Sequence, residues 1–247
     1  EQIRVDIDTL VADLREKADW YAQFIRNHEW VSDEEGRGWF NGYYDNSGRQ
    51  VEGVIDGNVR MMLTGQVFSI MGNVADDAQV KSITESADKY LYKKDIGGYR
   101  LNTDFKEEKF DLGRMFGFAY GEKENGAVFS HMTVMYANAL YQRGFVREGY
   151  KALYTLLGQA MDLDVSRMYP GIPEYFDAQG RGKYPYLTGA ASWYMMTVVT
   201  QIYGFRGLWG DLMIEPKILL EQFDTEGNFS AEIPYRGQTF SVVYQNP

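Results

Sequence analysis

The protein is 247 residues long, with 45% hydrophobic and 15% aromatic residues and a formal net charge of −10. This charge argues against a nucleic-acid partner, since a phosphate backbone is bound by a basic surface, and no apolar run approaches the roughly 20 residues that cross a bilayer. The chain has no cysteine and only two histidines, which argues against disulfides, thiolate nucleophiles and a histidine-rich metal site. We expect a cytoplasmic protein, and the many Tyr and Trp side chains modestly favour a carbohydrate site.

The first half of the chain is predicted to contain helices separated by an aromatic segment. The chain does not begin with methionine and reads as a fragment of a longer protein. Apolar residues spaced by three and four predict an amphipathic helix over Val5–His28. Aromatic residues around the turn signal Asp45-Asn46-Ser47-Gly48 predict a hairpin or aromatic loop over Gly36–Gly53. A buried helix is expected over Asn58–Met71, and a more polar one from Ala75 to the Gly97-Gly98 pair.

The second half continues as helices joined by long loops. Helices are predicted over Phe129–Gln142 and Val146–Met161, and a strongly apolar one over Gly189–Tyr203. The irregular segments Tyr99–Gly126 and Tyr169–Leu187 lie between them, and long segments of this kind in a compact domain are usually functional. Because buried and half-exposed helices alternate, the pattern predicts a mainly α fold of helical hairpins arranged as a toroid or α/α barrel.

The C-terminal end is predicted to be β-structured. After Gly210 the apolar residues recur with period two, and Tyr235-Arg236-Gly237-Gln238 predicts a hairpin turn. We therefore expect two parts: residues 1–210 belong to the α/α domain, and residues 211–247 form a small antiparallel β appendage.

Two predicted helix starts are candidate anion sites. His131 follows a Gly-bounded polar loop and falls in the first turn of a helix, where free backbone N–H groups collect. Thr188 is a candidate N-cap, and Gly189 would let a ligand approach the backbone. The competing interpretations are a histidine bonded within the fold, an ordinary N-cap, and a surface ion pair for the nearby Lys123 and Glu124.

Two further loops contain candidate sugar-binding residues. Glu174 lies among apolar neighbours in a proline-containing loop, so its carboxylate could bind sugar hydroxyls or act as an acid; a solvent-facing glutamate is the alternative. Arg100 belongs to the polar stretch Tyr99–Asp104, which could line a cleft or form a turn.

Five segments in this order together resemble the C-terminal part of family 94 of the glycoside hydrolases, which contains cellobiose, cellodextrin and chitobiose phosphorylases. The likeness is greatest to the 1,2-β-oligoglucan phosphorylases and to the phosphorylase-like end of cyclic β-1,2-glucan synthases, and it covers essentially the whole chain. The segments are Leu63-Thr64-Gly65-Gln66-Val67-Phe68, Gly98-Tyr99-Arg100-Leu101-Asn102-Thr103, Lys123-Glu124-Asn125-Gly126-Ala127 with His131, Tyr169-Pro170-Gly171-Ile172-Pro173-Glu174-Tyr175, and Leu187-Thr188-Gly189-Ala190-Ala191-Ser192-Trp193.

The resemblance implies a fold and a reaction. The fold would be the C-terminal half of an (α/α)6 barrel with a small β segment. The reaction would be inverting phosphorolysis: a carboxylic acid protonates the glycosidic oxygen while inorganic phosphate attacks the anomeric carbon. The partners would be inorganic phosphate and a β-linked gluco-oligosaccharide, with β-1,2 as the expected linkage and α-glucose 1-phosphate as the product. No metal or organic cofactor is expected.

The resemblance also implies roles for individual residues. His131, Thr188 and Gly189 match the family's phosphate site, and Lys123 and Glu124 match positions that line the acceptor sugar site. Our own extension assigns three further residues to the sugar cleft, namely Glu174, Arg100 and Tyr120.

The family's general acid has no match in this chain. It is an aspartate in an Ala-Asp-Trp-Asn-Asp-like motif, and the sequence Ala18-Asp19-Trp20 echoes this motif only within a regular helix, so we expect Asp19 at the surface. We therefore expect the acid in a missing N-terminal part or a partner chain, and an inactive chain without it; a homodimer stays open. The alternatives are a glucan synthase or hydrolase with the same cleft, and a non-catalytic glucan-binding module.

Overall fold

The computed structural model describes residues 3–169, 171–186 and 188–246; Pro170 and Leu187, which fall in two of the segments quoted above, lie outside the described residues. Most of the secondary structure in these ranges is helical. The α-helices are α1 (Ile7–His28), α2 (Leu63–Met71), α3 (Asp77–Tyr90), α4 (Ser130–Gln142), α5 (Val146–Met161), α6 (Leu163–Ser166) and α7 (Gly189–Thr197), the last continued by a π-helical turn over Val198–Ile202.

The strands are short and pair as antiparallel hairpins, apart from one sheet of three strands, β7–β8–β9. The hairpins are β1–β2, β3–β4, β5–β6, β10–β11 and β12–β13. Their bounds are β1 (Trp30–Ser32), β2 (Gly38–Phe40), β3 (Gly53–Ile55), β4 (Asn58–Arg60), β5 (Tyr92–Lys93), β6 (Gly98–Tyr99), β7 (Val128–Phe129), β8 (Tyr175–Phe176), β9 (Gly182–Lys183), β10 (Phe205–Leu208), β11 (Asp211–Ile214), β12 (Asn228–Tyr235) and β13 (Gln238–Gln245).

Helix α4 lies at the centre of the core. It is apolar on nearly every side, as a fully surrounded helix must be, and it packs against α2, α5 and α7. The contact with α5 is close, since a Cβ at Gly149 would come within 2.7 Å of the Tyr141 ring. The contact with α7 includes a buried hydrogen bond in which Asn138 donates to the hydroxyl of Thr197 at 2.9 Å. Helices α2, α4 and α7 thus form an inner row, with α5 on its outside.

The loops that precede the inner helices are tied together at one end of the molecule. The backbone N–H of Leu63, at the start of α2, donates to the carbonyl of Leu101 at 2.7 Å, and the N–H of Leu101 donates to the carbonyl of Ala127 at 2.9 Å. The N–H of Ser130, at the start of α4, donates to the carbonyl of Glu174 at 2.9 Å. The bonds from Leu63 and Ser130 satisfy backbone donors that a helix leaves free, and all three bonds collect the irregular segments around the helix N-termini.

Several predicted elements are confirmed, and one predicted helix is wrong in its first part. Helix α5 has the predicted bounds, and α1 starts at Ile7. The predicted helix over Asn58–Met71 begins only at Leu63, because Asp56 and Gly57, both with positive φ, close a hairpin that pairs β4 with β3. The polar helix α3 ends at Tyr90 instead of reaching the Gly97-Gly98 pair, whose positive φ angles shape the hairpin between β5 and β6.

The predicted C-terminal hairpin is confirmed: Arg236 and Gly237, both with positive φ, turn β12 into β13. The β10–β11 hairpin has a strand on either side of Gly210, and the division into residues 1–210 and 211–247 stays a prediction, as does the (α/α)6 barrel. Within the described ranges no helix is both long and apolar enough to cross a membrane.

Helices α1 and α7 are less covered than α4. Helix α1 has no buried residue, although its sequence is amphipathic, and Leu14, Trp20 and Tyr21 are exposed. Asp19 is exposed, as predicted. Helix α7 exposes Met195.

Candidate functional site

His131 and Gly189 are in direct contact although 58 positions separate them. His131 lies in the first turn of α4, as predicted, and Gly189 is the first residue of α7. A Cβ at Gly189 would lie less than 3 Å from Cε1, Nδ1 and Nε2 of the His131 ring, so only glycine leaves room for the imidazole here. Thr188 is the N-cap, and its hydroxyl accepts the backbone N–H of Ala190 at 3.2 Å. The three residues predicted to bind phosphate therefore meet at one helix N-terminus.

The imidazole of His131 is partly buried and has one nitrogen without a hydrogen-bond partner among the described residues. Burial lowers the pKa of His131 below its ordinary value, so the ring is neutral at neutral pH. Its Nε2 is buried and has no hydrogen-bond partner among the residues that the structure describes. A neutral ring with a free nitrogen beside the positive end of a helix dipole can take up a proton when an anion arrives.

Lys123 and Glu174 form a second cluster close to the start of α4. Their side chains are 3.1 Å apart, from Nζ to Oε2, and are 19% and 20% exposed, so water and ligands still reach them. The Lys123 ammonium also lies 3.7 Å from the centre of the Tyr184 ring. Burial acts to lower the pKa of Lys123, but the hydrogen bond from the ammonium to Glu174 raises it overall. The backbone carbonyl of Glu174 accepts from Ser130, the neighbour of His131, which places this ion pair beside the histidine segment.

Glu124 and Glu122 flank the same loop but face different partners. Glu124 lies 3.1 Å from Arg114 in a more exposed ion pair and lines a cavity of about 240 Å³ together with Phe129. Glu122 accepts a hydrogen bond from the Tyr175 hydroxyl at 2.9 Å. Sequence reasoning did not single out Glu122 as a hydrogen-bond partner in this loop, although it directly precedes Lys123 in the chain.

Arg100 and Tyr120 contact each other at the base of the loop. The Arg100 guanidinium lies 5.2 Å from the centre of the Tyr120 ring and donates to the carbonyl of Gly126. The Tyr120 hydroxyl donates to the carbonyl of Asn102 at 3.3 Å. Within the described ranges neither side chain bonds to Lys123 or Glu174, so this pair supports the loop that carries Lys123.

The structure also reveals a buried carboxylate that sequence reasoning missed. Glu52 is 2% exposed and lines a cavity of about 780 Å³ next to the smaller one. One carboxylate oxygen accepts the N–H of Gly42 at 2.8 Å and the other accepts the N–H of Met62 at 2.6 Å. Burial raises the pKa of Glu52 to about 8. The only sequence signal is a charged residue between Val51 and the strand β3.

No group of three or more His, Asp or Glu side chains in the described part of the chain is arranged to hold a metal ion. His131 and the start of α7 can bind an anion, and Lys123 and Glu174 can exchange hydrogen bonds with hydroxyl groups.

The chain belongs to the glycosyl hydrolase 94 superfamily: the model of its catalytic domain matches residues 8–204. Similar proteins include a cellobionic acid phosphorylase of Neurospora crassa, 25% identical over 74% of this chain and 24% of that protein. An N,N'-diacetylchitobiose phosphorylase of Vibrio proteolyticus is 26% identical over 89% of this chain and 28% of that protein. A solabiose phosphorylase of Paenibacillus borealis is 22% identical over 96% of this chain and 31% of that protein.

The chain therefore spans between 24% and 31% of the length of these relatives. The resemblance found in the sequence is confirmed at the level of the family. The particular likeness to enzymes of β-1,2-glucan stays a prediction.

Proposed function

We propose that this chain is the phosphate-binding part of an inverting glycoside phosphorylase. The substrate is a β-linked gluco-oligosaccharide, with β-1,2 as the linkage, and the product is α-glucose 1-phosphate. The observation that carries the proposal is the contact of His131 with Gly189 at the N-terminus of α7. A module that only binds sugar has no need for an anion site of this kind.

In the proposed reaction, phosphate, the acid and this chain have separate roles. Phosphate is an anionic nucleophile already, so the protein needs no general base, and a carboxylic acid protonates the leaving oxygen. His131 takes up a proton and donates it in a hydrogen bond to a phosphate oxygen, while backbone N–H groups at the start of α7 hold the other oxygens. Lys123 and Glu174 exchange their mutual hydrogen bond for bonds to sugar hydroxyls.

We further propose that other polypeptide supplies the acid and completes the site, as a preceding segment or a partner chain. Two features support this. The apolar side of α1 and Met195 on α7 are exposed in this chain. The chain also spans under a third of its relatives. Completion would close the row α2, α4 and α7 into an (α/α)6 barrel.

The test is release of sugar 1-phosphate from β-1,2-, β-1,3- and β-1,4-linked glucose disaccharides and oligomers, with and without inorganic phosphate. It uses the protein as its gene encodes it, including any sequence that precedes this chain. We expect phosphate-dependent α-glucose 1-phosphate, greatest with the β-1,2 linkage. His131→Ala should abolish it, and His28→Ala, which changes the other histidine of the chain, should leave it intact. Release of free sugar without phosphate would identify a hydrolase, and glucan binding with no turnover would identify a binding module.

A further inference from the structure

The aromatic loop, residues 41–44, is fixed on one side by a carboxylate at the end of α1. The backbone N–H of Asn41 donates to the carbonyl of Glu29 at 2.7 Å, and its side-chain amide donates to the Glu29 carboxylate at 3.0 Å. The Tyr44 hydroxyl donates to the same carboxylate at 2.9 Å. The side-chain oxygen of Asn41 accepts the backbone N–H of Glu52 at 3.1 Å. The two ends of the loop are thus held.

The middle of the aromatic loop is held against the N-terminal end of α2. Glu52 accepts from Gly42 in the loop and from Met62, the N-cap of α2. The backbones touch, because a Cβ at Gly42 would lie 3.0 Å from the Cα of Gly65. Besides these two backbone groups, the side-chain amide of Gln66 donates to Glu52 at 3.5 Å. A loop held by backbone donors and a glycine–glycine contact has little freedom to move.

The contacts that fix the aromatic loop do not involve the side chain of Tyr43. Its side chain forms no hydrogen bond within the described part of the chain, and it is 48% exposed. It lines both cavities, the larger one together with Tyr44 and the smaller one together with Glu124. Thr64, from the first turn of α2, lines both as well.

We propose that Tyr43 is a platform for a second sugar ring, next to the ring that Glu124 contacts. The proposal rests on the proposed function and on the family resemblance, which implies that Glu124 lines the acceptor sugar site. A tyrosine ring offers a flat apolar face to the C–H face of a pyranose, and Thr64 supplies a hydroxyl beside it. Because the loop is already fixed, stacking a sugar on Tyr43 costs little ordering entropy. The substrate class is therefore an oligosaccharide longer than the disaccharide.

The experiment compares glucose oligomers of two and four β-1,2-linked units in the protein as its gene encodes it. Tyr43→Ala should raise the KM for the four-unit oligomer about tenfold and leave that for the two-unit oligomer within about twofold. Tyr43→Phe keeps the ring face and should match the unmodified protein. The matched control is Tyr154→Ala, which removes an exposed tyrosine from α5.

Equal changes for both oligomers would indicate a structural effect and overturn the proposal, and so would no change for either. An equal loss in Tyr43→Phe and Tyr43→Ala would overturn stacking by the ring face. Absence of phosphate-dependent cleavage in the unmodified protein would overturn the proposed function only. In that case the platform is tested by the Kd of the same two oligomers, measured by saturation-transfer NMR. Tyr43→Ala should raise the Kd of the four-unit oligomer about tenfold and leave that of the two-unit oligomer nearly unchanged.

Discussion

Two glutamate carboxyl groups lie near the starts of neighbouring inner helices, and they are held in different ways. Glu52, near the start of α2, is buried, and backbone N–H groups bind both of its oxygens. Glu174, near the start of α4, is partly exposed, and the side chain of Lys123 binds it. Backbone donors cannot turn toward a ligand, whereas an ammonium on a flexible stem can. The first carboxylate is therefore part of the scaffold, and the second is available for binding.

This difference should appear most strongly in the pH dependence of stability. The pKa of Glu52 is raised from an ordinary value of 4.5 to about 8, so between these values the folded chain holds a proton that the unfolded chain has released. The free energy of unfolding should then fall as pH rises through this window, by up to about 1.4 kcal/mol per pH unit. The measurement is urea denaturation at intervals of about one pH unit between pH 5 and pH 8.

Glu52→Gln should flatten this slope, and Glu174→Gln should leave it unchanged. His131 contributes with the opposite sign: its pKa is lowered on folding, so its contribution grows as pH rises, and it is common to all three proteins. Parallel slopes in the unmodified protein and in Glu52→Gln would show that Glu52 does not carry the buried proton.

The next largest effect is expected at the anion site, from Gly189→Ala. The added methyl group must displace the His131 ring, so kcat/KM for phosphate should fall by about 100-fold, the usual loss for one misplaced donor. Two opposing effects act on the melting temperature, since alanine favours a helix whereas the displaced ring loses packing, so we expect it to change little. Gly158→Ala is the matched control, since a Cβ at that glycine of α5 meets nothing within 4 Å. A fully active Gly189→Ala protein would show that phosphate binding does not need the contact between His131 and Gly189.

A smaller effect is expected at the partly buried ion pair of Lys123 and Glu174. Lys123→Met keeps the length of the side chain and removes its charge, so the KM for the sugar should rise about tenfold while stability changes by less than about 1 kcal/mol. Lys151→Met is the control, because Lys151 also combines an ion pair, with Asp88 at 2.7 Å, and a stacked ring, Tyr92 at 4.0 Å, on α5. Similar kinetic losses in both variants would point to a general effect of removing charge.

The sequence alone predicts the regular part of the fold because that part depends on local spacing. The bounds of α5 follow from the recurrence of its apolar residues, and the last hairpin follows from Arg236 and Gly237. The β3–β4 hairpin was missed because the apolar run after Asn58 outweighed the turn residues Asp56 and Gly57.

The site is less predictable because its contacts join distant positions. His131 meets Gly189, and Lys123 meets Glu174 across 51 positions. Local patterns had marked the two helix starts and the loop of Glu174 as separate candidates, but no local pattern shows which of these residues meet. Neither a sequence pattern nor the family resemblance pointed to Glu52. Its burial depends on the contact between Gly42 and Gly65, which no local pattern reveals.

The smallest expected effect tests the anion site without any turnover. Phosphate should raise the pKa of His131 by about half a unit or more, since a nearby anion favours the charged imidazole and burial alone now lowers its pKa. The chain has two histidines, so an NMR titration of the imidazole signals follows His131 with His28, on α1, as the internal reference. Gly189→Ala should weaken the response, because its displaced ring no longer lies against α7. A shift of equal size at both histidines would mean that phosphate acts through ionic strength, and it would show that His131 and the start of α7 do not form an anion site.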